Sequence, residues 1–176
     1  MHKSKGFTLI ELVIVIIILG ILSATAIPKF LNIGTDAKNV TLQSMQGALN
    51  NAIELSYAKL AIHGKETASI LIGKDAGNII AGCDGCIFYY GRPQLDIKTL
   101  SVLIDGLNLK NDGDFVLTKS IPSTAGNVNS NYAYITLPKN MDSSGNIIDQ
   151  SCYIKYSQGA YSAIVAKPVL TFKECK

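Results

Sequence analysis

From Phe7 to Ile27 the sequence FTLIELVIVIIILGILSATAI carries one charge, Glu11, in 21 residues. That is the length of a membrane span. With Lys3 and Lys5 ahead of it, the run fits an ordinary secretory signal, for which Ala24-Thr25-Ala26 offers a small-x-small cleavage site. It also fits a plain anchor whose short N-terminus is kept in the cytoplasm by the positive-inside rule. Glu11 argues against both. A carboxylate in such a segment opposes insertion by up to about 2.5–3.5 kcal/mol at a helix centre, and somewhat less toward the end. A disposable signal has no reason to carry that cost, and a plain anchor leaves it unexplained. Nothing in the span itself offers Glu11 a partner. A cut between Gly6 and Phe7 makes one, because the new α-amino group lies four residues before Glu11. On a helix the two are i,i+4 neighbours, so the pair closes within one chain or between staggered chains packed side by side. In a low-dielectric bundle such a pair is far stronger than at a surface, and leaving Glu11 unpaired costs several kcal/mol. Cleavage would then gate assembly.

The 176 residues leave room for one ordinary domain plus an extended element, and 48% apolar residues exclude a disordered chain. The formal charge of +3 falls to +1 when residues 1–6 leave with Lys3 and Lys5, so net charge makes no case for nucleic acid or anionic lipid. Cys83, Cys86, Cys152 and Cys175 all follow the apolar run, an even count that suits two disulfides in an exported domain.

Past Pro28 the pattern becomes amphipathic. Leu42, Met45, Leu49, Ala52, Ile53 and Leu60 fall on one helical face, and Gln43, Asn50 and Glu54 on another. Read as one helix from Phe7 to about Ile62, this is 56 residues and roughly 80 Å, so its first half is expected to protrude from the domain. Gly20 and Pro28 predict a kink or local unwinding, and His63-Gly64 the stop, with His63 a capping or surface residue. Residues 67–91 read as a connection holding an apolar run at Ile70–Ile72, a Cys83-Asp84-Gly85-Cys86 turn and a strand at Ile87–Tyr90. Leu100, Leu103, Ile104 and Leu107 predict a short helix from near Asp96 to near Gly106. From Phe115 the period becomes two, predicting strands at Phe115–Thr118, Tyr132–Leu137, Cys152–Ser157 and Ser162–Phe172, with Pro168 at an edge, bulge or break. Half-buried antiparallel strands fit best, and the amphipathic half of the long helix is the natural cover for their apolar face. The expected fold is α+β, a ladle.

Gly6-Phe7-Thr8-Leu9-Ile10-Glu11-Leu12 and the following VIVIIILGIL closely resemble the class III signal of type IV prepilins and type II secretion pseudopilins. The similarity continues through PKFLNIGTDAKNVTLQSMQGALNNA, and the stretch from Ala26 to about Gly64 looks most like the MSHA-type pilins, mannose-sensitive haemagglutinin filaments of the type IVa class. The resemblance implies a prepilin peptidase that cuts after Gly6 and N-methylates Phe7, with Glu11 and Pro28 at the family's assembly positions. It divides the chain into a leader (1–6), a hydrophobic helix half that spans the membrane and then forms the filament core (7–27), an amphipathic half (28–63), a connecting region (64–114) and a sheet region (115–176). It further implies self-assembly into a helical filament, an assembly ATPase acting through an inner-membrane platform protein, and an outer-membrane secretin. The precursor would sit in the inner membrane with its C-terminal domain periplasmic and end as an extracellular pilus serving adhesion, motility or DNA uptake. A pseudopilin driving a type II secretion piston shares the same N-terminus; the longer C-terminal region and two expected disulfides favour a pilin.

In pilins a C-terminal disulfide encloses an outward-facing variable region, and Cys152 and Cys175 resemble that pair. Closing their 24-residue loop adds about 3 kcal/mol in the chain-entropy model. Cys83 and Cys86 are expected to pair with each other, a tighter loop worth about 2 kcal/mol before strain. A redox CxxC usually opens a helix, whereas a strand follows here, and the spacing to Cys152 and Cys175 is poor for zinc. No cofactor and no catalytic set is expected, the histidines being only His2 and His63. Asn111 with Asp112-Gly113-Asp114 could bind calcium but reads better as a solvated turn. The sequon Asn39-Val40-Thr41 lies on the long helix and reads as accidental.

Overall fold

A computed structural model describes residues 6–108, 113–118, 132–158 and 167–176, with the side chains of 28–32 and 108 outside the description. The chain order is α1 (Leu9–Ile62), β1 (Leu71–Ile72), α2 (Lys74–Gly77), β2 (Ile87–Tyr89), β3 (Arg92–Pro93), α3 (Ile97–Leu103), β4 (Leu107–Asn108), β5 (Phe115–Thr118), β6 (Tyr132–Thr136), a 3-10 turn at Pro138–Asn140, β7 (Tyr153–Ser157) and β8 (Val169–Lys173). Two compact units divide the chain, Met1–Ala37 and Lys38–Lys176, and α1 contributes to both. The class is α+β.

The long helix begins at Leu9, two residues later than the apolar run suggests. It runs unbroken across Gly20 and Pro28, so the expected unwinding does not occur. Proline removes only the one hydrogen bond its own N–H would have made, and the turns on either side hold the helix. At the other end Gly64 takes φ 65°, with its N–H donating to the Ala61 carbonyl (3.0 Å) and that of Lys65 to the Leu60 carbonyl (2.9 Å). This pair of bonds is a Schellman cap, which selects glycine at the left-handed position. A Cβ at Gly64 would meet nothing, so Gly64→Ala should cost only the backbone term, about 1–2 kcal/mol. Urea unfolding with an unchanged m-value is the check.

The larger sheet has five strands in the order β4-β5-β6-β7-β8. Its four later strands pair antiparallel, as their alternation predicts, but β4 joins β5 in parallel through Leu107↔Phe115 and Asn108↔Val116. Leu107 thus belongs to a strand and not to the helical spacing that groups it with Leu103. The reason is local: α3 ends at Leu103, Ile104 is already extended, and Gly106 at φ 79° turns the chain. Strand β8 starts at Val169, directly after Pro168, and lies at the sheet edge, while residues 162–166 fall outside the described residues. A second, antiparallel sheet, β1-β2-β3, occupies the region read as a connection. Tyr90 and Gly91, both at positive φ, form a two-residue turn between paired Tyr89 and Arg92; such turns match strand twist.

Within the Lys38–Lys176 unit, Leu42, Met45, Leu49 and Ile53 of α1 pack with Leu117, Ala133, Ile135, Ile154 and Tyr156 from the inner face of the five-stranded sheet. Each fully buried aliphatic side chain of this kind contributes about 1.5–3 kcal/mol. Leu60 instead enters a second core with Leu71, Ile80, Phe88 and the Cys83 and Cys86 side chains. Asp96 caps α3 by accepting from the Thr99 N–H (3.0 Å), and the buried Tyr156 hydroxyl donates to the Pro93 carbonyl (3.2 Å), tying the two sheets together. On the surface, Glu54 pairs with Lys167 (2.7 Å) and Arg92 (3.4 Å).

Candidate processing and assembly site

Residues 6–8 precede the helix in non-helical backbone, and Gly6 and Phe7 are both exposed. The Gly6–Phe7 peptide bond therefore lies in an open segment, where a peptidase can bind it without first unwinding a helical turn. Phe7 itself is 77% exposed, and a Cβ at Gly6 would have no neighbour within 4 Å.

Glu11 has a partner that the charge pattern of the span does not disclose. Its carboxylate accepts from the Thr8 backbone N–H (2.8 Å) and from the Thr8 hydroxyl (2.7 Å), and Thr8 Oγ1 in turn accepts from the Glu11 N–H (3.4 Å). This is a capping box, with Thr8 at the N-cap and Glu11 three residues on. It satisfies N–H groups that would otherwise be left without partners at a helix start in lipid. The Thr8-x-x-Glu11 spacing is the signature of such a box and is legible in the sequence. Because α1 starts at Leu9, Phe7 lies just before the N-cap. Glu11 is thus already drawn toward the helix start, where a new α-amino group at Phe7 would appear.

From Leu9 to Ile27 no residue is buried, and this stretch of 19 residues is long and apolar enough to cross a membrane. Its polar side chains are satisfied within the helix, Ser23 donating to the Leu19 carbonyl (2.7 Å) and Thr25 to the Leu22 carbonyl (3.0 Å). A helix apolar on every face needs a cover, either lipid or other helices. Pro28 lies in the helix, with its side chain outside the described residues.

The four cysteines form two disulfides, Cys83–Cys86 and Cys152–Cys175. Cys83 and Cys86 are fully buried in the second core. Cys152, at φ 66°, donates its N–H to the Glu174 carbonyl (3.2 Å), and the Cys175 N–H donates to Asn39 Oδ1 (2.7 Å). Asn39, the first residue of the sequon, thus has its side chain committed to holding the C-terminus against α1. His63 is exposed at the helix end. Of the calcium candidates, Asn111 and Asp112 lie outside the described residues, and no metal-binding group of carboxylate, histidine or cysteine occurs among the described ones.

The family model of the prokaryotic N-terminal methylation motif matches residues 1–27. Type IV major fimbrial protein FimA of Dichelobacter nodosus is 40% identical over 82 residues, 47% of this chain and 50% of the relative. Type IV narrow pilus major component PilA5 of Thermus thermophilus is 41% identical over 54 residues, 31% of this chain and 47% of the relative. A fimbrial protein of Pseudomonas aeruginosa is 40% identical over 75 residues, 43% and 46% of the two chains. The chain spans about half the length of the curated relatives it matches. No solved structure matches it. Residues 1–27 thus carry the prokaryotic N-terminal methylation motif, and over part of its length the chain is similar to major subunits of type IV pili.

Proposed function

We propose that the chain is the precursor of a pilus subunit, cut between Gly6 and Phe7 and N-methylated on Phe7, that leaves the inner membrane to assemble into an extracellular filament. The observation that carries this reading is the Leu9–Ile27 helix, none of whose residues is buried, with Glu11 fastened at its start. In the membrane the apolar surface is covered by lipid; in the filament it is covered by the same segment of other copies. Cleavage places a cation beside Glu11, and methylation of an amine keeps that charge. The assembled bundle then holds an ion pair in place of a lone carboxylate. Prepilin peptidase, an assembly ATPase with its platform protein, and an outer-membrane secretin are the partners this route needs. Surface adhesion, with motility or DNA uptake, is the role proposed for the fibre, in the manner of the MSHA-type pilins.

Mass spectrometry of fibres sheared from cells is the test. Bulk fibre protein should begin at methylated Phe7. An N-terminus at Met1 or Ile27, or absence of the protein from long surface fibres, overturns the reading, the latter in favour of a secretion pseudopilin.

A further inference from the structure

We infer that the outward face of the five-stranded sheet is a binding surface for an acidic polysaccharide. The inner face is committed to α1 through Ala133, Ile135, Ile154 and Tyr156. By strand alternation the opposite face presents Tyr132 and Tyr134 on β6, Tyr153 and Lys155 on β7, and Thr171 and Lys173 on β8. These six residues are half-buried or exposed. Tyr134 and Tyr153 meet edge to face, ring centroids 5.2 Å apart, which fixes both rings.

The lysines are held as well. Lys155 Nζ sits 4.0 Å from the centre of the Tyr132 ring and Lys173 Nζ 5.6 Å from that of Tyr153. An ammonium resting on a ring keeps its outward N–H bonds available, so an anion meets a positioned donor and less side-chain freedom is lost on binding. Since Lys173 pairs with Tyr153 and Lys155 lies two residues further along β7, the two lysines are diagonal neighbours with Cα atoms about 7–8 Å apart.

Charge on this part of the chain is one-sided in a way the net value hides. Residues 7–114 hold eight basic and ten acidic residues, whereas 115–176 hold six lysines against Asp142, Asp149 and Glu174. No acidic residue occurs anywhere in 115–141 or 150–173, the segments that contain β5 to β8. Asp149, which feels the charge of Lys173, already accepts from the Ser151 N–H (2.9 Å) and hydroxyl (2.7 Å). The face is therefore complementary to an anion.

The chemistry favours a carboxylated glycan over a nucleic acid. Three phenols and the Thr171 hydroxyl match a hydroxyl-rich ligand. Single-stranded nucleic acid draws its affinity from many neutralised phosphates and from open rings on which bases stack. Here the face has two lysines, and one of them rests on the Tyr132 ring. The site belongs to a single chain, so it does not depend on filament formation; repetition along a fibre would add avidity.

The test uses the full chain in nonionic detergent at physiological salt, with immobilised alginate, neutral dextran and oligothymidylate as probes. Alginate should be retained and dextran should not. Replacing both lysines, Lys155→Gln with Lys173→Gln, should weaken alginate binding about tenfold, each exposed charge being worth up to a factor of about five. The double replacement Lys65→Gln with Lys74→Gln makes the same change in net charge away from the sheet and should leave binding within twofold, roughly the scatter of a surface change. Tighter binding to oligothymidylate than to alginate, equal retention on dextran, or equal losses in the two double variants overturns the proposal. Unchanged circular dichroism in both variants excludes unfolding as the cause.

Discussion

Replacing Glu11 by valine should leave membrane insertion and the cut after Gly6 intact while reducing fibre yield by about a hundredfold or more. The estimate follows from removing one partner of the proposed Glu11–α-amino pair: breaking a buried ion pair costs about 3–5 kcal/mol because the other charge is left uncompensated. Insertion should if anything improve, since a carboxylate is the least favourable group in the span. The capping box gives Glu11 a second role, and glutamine separates the two. The side-chain amide introduced by Glu11→Gln can still accept from the Thr8 N–H, because either residue type serves at that position of a capping box, but it cannot balance an α-ammonium group. If fibre assembly depends on charge pairing, Glu11→Gln should fail nearly as badly as Glu11→Val. If the cap is what matters, Glu11→Gln should assemble normally and Thr8→Ala, which loses about 1 kcal/mol of cap, should show most of the valine defect. Fibre yield by shearing, with mature N-terminus and membrane content measured on the same cells, reads out all three variants.

What can be read from the sequence is what has a short period or a local signature. The α1 face Leu42, Met45, Leu49 and Ile53 repeats at helical spacing, and it is the face that is buried. Alternation in Tyr132–Thr136 and Tyr153–Ser157 likewise reports which side chains face the core. Strands of two residues have no period to detect. That is why β1, β3 and β4 escape a reading by periodicity, and why Leu107 groups with the helical residues before it. The parallel pairing of β4 with β5 is a tertiary contact between segments whose local composition is neutral about direction. At the candidate site the isolation of Glu11 as the one charge of the apolar run is legible, whereas its bond to Thr8 is missed when a partner for a carboxylate is sought among charges and not among the N–H groups of its own helix start.

The two disulfides are expected to contribute unequally, and opening Cys152–Cys175 should destabilise the chain by more than opening Cys83–Cys86. In the chain-entropy model the 24-residue and 4-residue loops are worth about 3 and 2 kcal/mol respectively. The structure adds a reason in the same direction. β8 is an edge strand with β7 as its strand neighbour, and the clasp holds its end through the Cys152-to-Glu174 and Cys175-to-Asn39 bonds. Gln46 on α1 adds one more tie, donating to the Leu170 carbonyl (3.2 Å). Without the clasp the strand can fray from its C-terminal end, exposing Leu170 and Phe172, which pack on the core. The short loop, by contrast, is embedded in the second core and remains enclosed by Leu60, Leu71 and Phe88 when its bond is lost. Paired alanine replacements avoid burying new hydroxyls. Urea unfolding of the full chain in detergent, followed by tyrosine fluorescence, should rank Cys152→Ala/Cys175→Ala below Cys83→Ala/Cys86→Ala. Amide exchange should accelerate at Val169–Lys173 in the first pair alone. The reverse ranking would mean that packing of the buried sulfurs, and not closure of the long loop, sets what each bond contributes.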